Sequence, residues 1–385
     1  MHETAIIGGG LAALSLADRL IDAGQEPESI AVVDAGGAER ASSAPTAIFH
    51  PFPGKSLAPK PRRLRQVEAT LRQIDRWQRQ LQAPPIVEST MVRPLRDDYL
   101  SERLCDSWAG ESGYPDWFDG RKVHREELAE MGEHLAAFES AFVYRPAFAI
   151  DLDALCEMFV GRLQEAGVAF RSTHVDRLLR REGCWELSSD GESTLRAGTV
   201  ILAVGTAIDT WFPELSMRSR GGELLHVDLP GEQLDHIVNA GGHVAAHPES
   251  GIVAGATYWN PANFDRRTSE TARREILERC GRLYPPLRTT DSGTIWRGVR
   301  AMFGDHQPLV GPVETLPDFH CFGAFGSTGL LRIPLHAERF SAEFIEGTEQ
   351  IPALSRPTRM RPDKWRPAPG RFPTAPADSS EETTR

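Results

Sequence analysis

Thr4-Ala5-Ile6-Ile7-Gly8-Gly9-Gly10-Leu11-Ala12-Ala13 is the stretch on which the reading of this chain turns. Ala5 to Ile7 are apolar and β-prone, so they read as a short buried strand. Three glycines then turn the chain. From Leu11 the apolar residues Leu14, Leu16, Ala17, Leu20 and Ile21 follow a helical period. Strand, glycine turn and helix in that order give meaning to Gly8-x-Gly10-x-x-Ala13. Gly8 permits the turn, Gly10 lets backbone approach a pyrophosphate, and Ala13 lets helix and strand pack closely. The unpaired N–H groups of the helix start would hold the phosphates.

A second apolar run, Ser29-Ile30-Ala31-Val32-Val33-Asp34, ends in an acid. An acid there accepts hydrogen bonds from a ribose diol. It lies 24 residues after Gly10, against the usual spacing of about 20, and the Gly24 to Glu28 loop absorbs the difference. The competing reading is a glycine turn in an ordinary βαβ unit that binds nothing.

The chain has 385 residues, enough for two domains or one with a large insertion. Lys and Arg number 43 and Asp and Glu 54, a net charge of −11, which argues against unassisted nucleic-acid binding. Cys105, Cys156, Cys184, Cys280 and Cys321 are scattered and form no C-x-x-C pair. That spacing points to a reducing compartment, with neither a disulfide scaffold nor a zinc site. No apolar run is long enough to span a membrane. No basic segment precedes the first apolar run, so the expectation is a cytoplasmic protein with no membrane partner.

Further along, Ala35 to Ala47 is a small, polar loop, and Ile48 to Lys55 continues it with His50 and Lys55 as possible proton or charge carriers. Arg62 to Leu81 reads as an amphipathic helix whose other face carries Arg62, Arg63, Arg65, Arg72, Arg76 and Arg79. That face is either solvated or a dock for an anion. Strands are expected at Ile86 to Leu95, Phe142 to Phe148, His174 to Leu179 and Cys184 to Ser188. Helices are expected at Tyr99 to Trp108, at Leu152 to about Gly167 behind an Asp151 cap, and at Arg273 to Tyr284. Gly110 to Gly120 is a loop carrying Tyr114, Trp117 and Phe118. Thr199 to Thr206 reads as a fully buried strand whose terminal Gly205 is a second cofactor contact, since ligands gather at such strand ends. Arg218 to Glu223 reads as a charged, glycine-bearing break before a β-rich section. His243 and His247 fall four apart in a strand-like context, which does not make a metal pair. Phe319 to Ala324 is a strand, Phe325 to Leu331 a glycine-rich turn, and Ile333 to Ile345 a helix.

Four segments together resemble the D-amino-acid oxidase/glycine oxidase-type (DAO) FAD-dependent oxidoreductases. They are Ile6 to Ala13 with Asp34, Thr199 to Gly205, Gly255-Ala256-Thr257-Tyr258, and Trp296 to Gly311 joined to Gly323 to Leu330. The Asp305 to Gly311 run is similar to the oxidase half of bifunctional tRNA-uridine-modifying enzymes, though no methyltransferase-like segment is present. The resemblance implies a mixed α/β (α+β) fold, a Rossmann-like FAD-binding domain interleaved with an antiparallel-sheet substrate domain. On composition 367–385 reads as a disordered tail, while by the resemblance residues 1–85, 145–220 and 296–348 would form the first domain and 86–144 and 221–295 the second. It implies non-covalent FAD. Gly8, Gly10, Leu11 and Ala12 would meet the pyrophosphate and Asp34 and Ala35 the ribose. Ser42, Ser43, Thr46 and Ala47 would lie along phosphates and flavin, Val175 would bond the adenine through its backbone, and Ala203 and Gly205 would touch the cofactor. Gly326, Ser327, Thr328, Gly329 and Leu330 would bring N–H groups to the edge of the flavin that gains negative charge. Arg300, in Trp296-Arg297-Gly298-Val299-Arg300, would clamp a substrate carboxylate. The next residue is Ala301 where the family has proline.

The implied activity is oxidation of a primary or secondary amine bearing a carboxylate, an amino acid or N-substituted glycine, with hydride passing to the flavin N5. The imine is then hydrolysed, and dioxygen restores the cofactor with release of peroxide, or another electron acceptor restores it without peroxide. Tyr258, His50 and Lys55 join Arg300 as catalytic candidates. The alternatives are removal of a carboxymethyl group from a modified tRNA uridine, a flavin monooxygenase suggested by Gly304-Asp305-His306, and a non-catalytic FAD-binding protein.

Overall fold

The computed structural model describes residues 1–37, 39–53, 61–95, 115–262, 267–290 and 292–372, with backbone only for Pro61 and Arg62. The expected helix at Tyr99 to Trp108 lies outside the described residues, as do Tyr114 and Lys55. The described strands, in chain order, begin with β1 (His2–Ile7), β2 (Ile30–Asp34), β3 (Ala47–Phe49), β4 (Ile86–Pro94), β5 (Asp119–His124) and β6 (Ser140–Ile150). Next come β7 (Ala169–Ser172), β8 (Arg177–Arg181), β9 (Cys184–Ser189), β10 (Glu192–Leu202) and β11 (Arg220–Val227). The last are β12 (His236–Asn239), β13 (His243–Ala246), β14 (Ile252–Gly255), β15 (Thr294–Arg300), β16 (Leu309–Pro312) and β17 (Phe319–Gly323).

They build two sheets. The first runs β16-β17-β10-β1-β2-β7, with the β8–β9 hairpin extending from β10. β1 lies parallel to both β2 and β10. Ala5, Ile6, Ala31 and Val32 have no exposed surface, as expected of parallel strands covered on both faces. Helix α1 (Leu11–Asp22), the helix Leu152–Glu165 and the helix Gly329–Glu346 share one apolar cluster over this sheet. The second sheet runs β15-β11-β14-β13-β12-β4-β6-β3 and is mostly antiparallel. The helix Ser269–Cys280 packs on one of its faces through Ile276 and Cys280.

The second sheet begins again at Arg220, at the expected border, but also takes strands from stretches expected in the first domain. β15 lies in the second sheet, paired with β11 from Arg220↔Arg300 to His226↔Thr294. β3 is there too, paired with β6. From Arg220 on, the expected break at Arg218 to Glu223 is strand β11. Its glycines are needed because large side chains lie on it: a Cβ at Gly221 would stand 2.2 Å from the Trp259 ring. The buried strand expected at Thr199 to Thr206 begins at Glu192 and ends at Leu202, leaving Gly205 in a turn. The strand expected from His174 starts at Arg177, since Val175 is buried in the loop before it. The helix expected from Arg273 starts at Ser269, where the Thr268 hydroxyl accepts from the Thr271 N–H at 3.1 Å.

The helix expected from Ile333 starts four residues earlier, at Gly329, despite Pro334 inside it. Proline cannot bond the carbonyl four residues back. That carbonyl, Leu330, lies 3.3 Å from the buried Thr70 hydroxyl. Thr70 belongs to α2 (Pro61–Gln80), whose Trp77 meets Phe159 edge-on at 6.2 Å. The tail is packed at least to Phe372. The Leu178 N–H donates to the Arg371 carbonyl at 2.7 Å, and Phe372 sits among Trp185, Trp211, Phe212 and Phe319. A low-hydrophobicity segment holds here because its one aromatic residue completes an aromatic cluster.

Candidate active site

The glycine turn sits at the C-terminal end of β1. Gly8 has φ +112°, and a Cβ there would stand 2.4 Å from the Ala203 carbonyl oxygen. β1 and the end of β10 touch at that point, with the Ala203 N–H donating to Ile7 at 2.8 Å. Gly9 lies against the Asp34 carboxylate, where a Cβ would come within 2.6 Å of Oδ2, and Gly10 lies against Ser42 Oγ at 2.9 Å by the same construction. Gly10 caps α1 with no side chain, and the first helical bond runs from Leu14 N–H to the Gly10 carbonyl. Leu11 N–H donates to Ser42 Oγ at 3.0 Å. Ala12 and Ala13 have no intrahelical acceptor for their N–H groups, because the first turn never does.

Asp34 ends β2 partly exposed and pairs with Arg40 at 2.8 Å. Its carbonyl accepts from Thr173 N–H, which brings the Val175 loop alongside. Ala35 is exposed at the same strand end, and Gly205 is exposed with φ +58° and open space beside it. A strand-end acid, a helix start without its own cap and glycines whose Cβ positions are already taken fit a dinucleotide cradle. These residues come together as the motif predicts, apart from Leu11, whose N–H is already bonded.

The loop 40–47 joins this cradle to the second sheet. Val299 N–H donates to the Glu39 carbonyl at 3.0 Å, and Trp296 Nε1 donates to Ser43 Oγ at 3.2 Å. Thr46 is buried, its hydroxyl on the Pro45 carbonyl, and Ala47 opens β3. On the other side Gly326, at φ +64°, donates its N–H to the Ala301 carbonyl at 2.9 Å. The turn Gly326–Thr328 then enters the helix at Gly329 and Leu330, whose cap, Thr328, makes no side-chain bond to it. The strand bearing Arg300 is thus tied, on either side of Arg300, to Glu39 through Val299 and to the second helix start through Ala301.

Arg300 folds back across its neighbouring strand. A Cβ at Gly222 would stand 2.4 Å from its Nη1. Tyr258, 66% exposed, covers it with the guanidinium carbon 5.5 Å from the ring centroid. Nη1 is buried and has no hydrogen-bond partner among the described residues. Burial lowers the Arg300 pKa from its usual value, so the charge lacks the stabilisation an anion would give. Beside it, His243 Nε2 is also buried without a hydrogen-bond partner among the described residues. Its pKa falls to about 4, first through burial and then through Arg300. The ring is therefore neutral near pH 7.

His243 was legible only as one of a spaced histidine pair. Strand pairing parts that pair: His243 sits opposite Gly255, whereas His247 contacts Asp151 at 3.2 Å and stacks on His226. The signal for His243 was the strand register, which its own segment does not contain. His50 is buried, with Nδ1 hydrogen-bonded to the Tyr144 hydroxyl at 2.9 Å. Burial, Arg93, His243 and Arg63 push its pKa down to about 3. It is a neutral core histidine, unsuited to carrying a proton near neutral pH. Lys55 lies outside the described residues.

The arginine face of α2 is partly solvated and partly tied into ion pairs: Arg72 and Arg79 are exposed, while Arg76 is held between α1 carboxylates. Arg76 Nε meets Asp18 at 3.0 Å, Arg72 meets Glu338 at 3.1 Å, and Arg79 pairs with Asp75. These pairs offset the charge of three of the arginines. Asp305, the residue behind the monooxygenase reading, is bonded by Arg359 at 3.0 Å. No helix among the described residues is long and apolar enough to cross a membrane.

Comparisons agree with this fold. The structure is similar to iminodiacetate oxidase from Chelativorans sp. BNC1, with TM-score 0.78, 19% identity, and 92% of this chain and 99% of that one covered. It is similar to glycine oxidase from Geobacillus kaustophilus, with TM-score 0.76, 20% identity and coverage of 92% and 97%. L-alpha-glycerophosphate oxidase from Mycoplasma pneumoniae, solved with FAD bound, gives TM-score 0.72, 14% identity and coverage of 92% and 97%. No curated protein matches the chain. Residues 3–342 match the family described as FAD dependent oxidoreductase (DAO), and the chain belongs to that FAD-dependent family.

Proposed function

We propose that this protein oxidises a primary or secondary amine that also carries a carboxylate, such as an amino acid or an N-substituted glycine. One observation carries the reading: the buried Arg300 Nη1, without a partner among the described residues, beneath Tyr258 and one residue from the Ala301–Gly326 tether. A guanidinium in that setting suits a planar anion with two acceptor oxygens. The named substrates of the iminodiacetate and glycine oxidases are amines of this kind, which supports the choice.

In this reading Gly8, Gly10 and Ala12 hold the FAD pyrophosphate and Asp34 the ribose. The turn from Gly326 to Leu330 lies at the flavin, where a helix start favours negative charge. Bound FAD supplies a two-electron acceptor that dioxygen can restore, with release of peroxide. Arg300 fixes the carboxylate, which orients the neighbouring C–N bond. Neutral His243 can accept a hydrogen bond from the amine and so orient it. The substrate loses two electrons and two protons as its C–N bond becomes an imine, which water hydrolyses.

Anaerobic mixing with glycine, N-substituted glycines and the corresponding amines lacking a carboxylate tests this. The carboxylated amines should bleach the flavin. Equal bleaching by amines lacking the carboxylate, or none by any member, would overturn it.

A further inference from the structure

Gly222 and Tyr258 form the floor and roof of the Arg300 guanidinium, and each is the chain neighbour of one partner in a single buried network. Glu223 follows Gly222 and Thr257 precedes Tyr258. The Thr257 hydroxyl accepts from Glu223 N–H at 3.0 Å and donates to Glu223 Oε2 at 2.7 Å. Thr257 N–H donates to the Glu223 carbonyl at 3.2 Å. The Glu223 side chain has no exposed surface. Arg267 reaches it through Nη2 at 2.6 Å, and Arg297 Nε lies 3.3 Å from Oε1. Arg267 also holds Glu275 at 2.9 Å, which ties the network to the helix Ser269–Cys280. Thr257 itself is buried.

A buried carboxylate held by arginines is costly unless its own bonds are made, and the bonds made to Glu223 rigidify what they touch. What it touches here is the backbone on both sides of Arg300. Tyr258 itself is exposed and is flanked by Thr257 and Trp259; Trp259 pairs with Gly221 through two backbone bonds of 3.0 and 3.2 Å.

We propose that Thr257 and Glu223 are positioning residues for the carboxylate clamp: their hydroxyl–carboxylate lock sets Tyr258 over Arg300 and so sets carboxylate affinity. This rests on Arg300 binding a carboxylate, as proposed above.

The test uses the FAD-loaded enzyme and reads glycolate binding by the change in the flavin's visible spectrum, with uncharged glycolamide as control. Thr257→Val keeps the side-chain shape and removes the hydroxyl. It should weaken glycolate at least fivefold, leave glycolamide unchanged, and raise KM for a carboxylated amine more than it lowers kcat. Thr257→Ser should restore glycolate binding. Glu223→Gln should act in the same direction if it folds. Wild-type glycolate affinity in Thr257→Val, or an equal loss for glycolamide, overturns the proposal. If Arg300→Met also leaves glycolate binding unchanged, the carboxylate reading itself fails. If only Thr257→Val is silent, the positioning role alone fails.

Discussion

Arg300→Met separates a clamp from a structural ion pair. A carboxylate taking two bonds from the guanidinium fork gains about 1.5–3 kcal/mol from each, since both partners are charged. Losing both costs about 3–6 kcal/mol, two to four powers of ten in affinity at 1.4 kcal/mol per decade. Stability should move the other way. Arg300 Nη1 is buried with no partner among the described residues, so the free protein bears an uncompensated desolvation cost that methionine lifts. The expected result is a Tm equal to or above wild type, with glycolate binding abolished. A structural arginine would behave oppositely, because breaking a buried pair costs about 3–5 kcal/mol of stability. A Tm drop of several degrees with carboxylate affinity intact would refute the reasoning.

The cradle and the buried histidines give further expectations. Gly8→Ala places a methyl 2.4 Å from the Ala203 carbonyl at φ +112°, strain of about 1–3 kcal/mol before any clash; the purified variant should hold less FAD and melt lower. Gly205→Ala, where nothing crowds the Cβ, should retain FAD, and equal loss in both variants would contradict the packing argument. His50 and His243, held near pKa 3 and 4 by burial, bind protons more readily unfolded. Stability should therefore be full above about pH 6.5 and fall as pH drops toward 4, by about 2 kcal/mol for each histidine at pH 5. A thermal melt showing no loss between pH 7 and pH 5 would contradict their neutral, buried state. Asp34→Ala should weaken FAD while leaving the fold intact, because Arg40 is partly exposed and can rehydrate; unchanged FAD affinity would remove Asp34 from the ribose site.

The parts of the fold written in contiguous patterns were legible. Gly8 to Ala13 announced strand, turn and helix because each glycine answers a local demand of backbone geometry or close packing. Asp34 and the Gly326 turn were legible for the same reason. The Arg300 neighbourhood was only half legible. Its pattern pointed to the arginine, but Gly222 beneath it and His243 beside it come from strands far apart in sequence. Charge and glycine at Arg218 to Glu223 read as a break because local propensity cannot see a guanidinium or an indole lying on the strand. The arginine face of α2 read as solvated or docking because Asp18, Asp22 and Glu338 come from other helices. His50 looked like a loop histidine until Tyr144, on β6, buried it.

A crystal structure of the FAD-loaded enzyme with glycolate, compared with its ligand-free form, tests the central claim most directly. The account predicts a carboxylate oxygen about 3 Å from Arg300 Nη1, beneath Tyr258 and facing the flavin. A guanidinium turned away from the flavin, or glycolate bound elsewhere with Nη1 still unpaired, would contradict it.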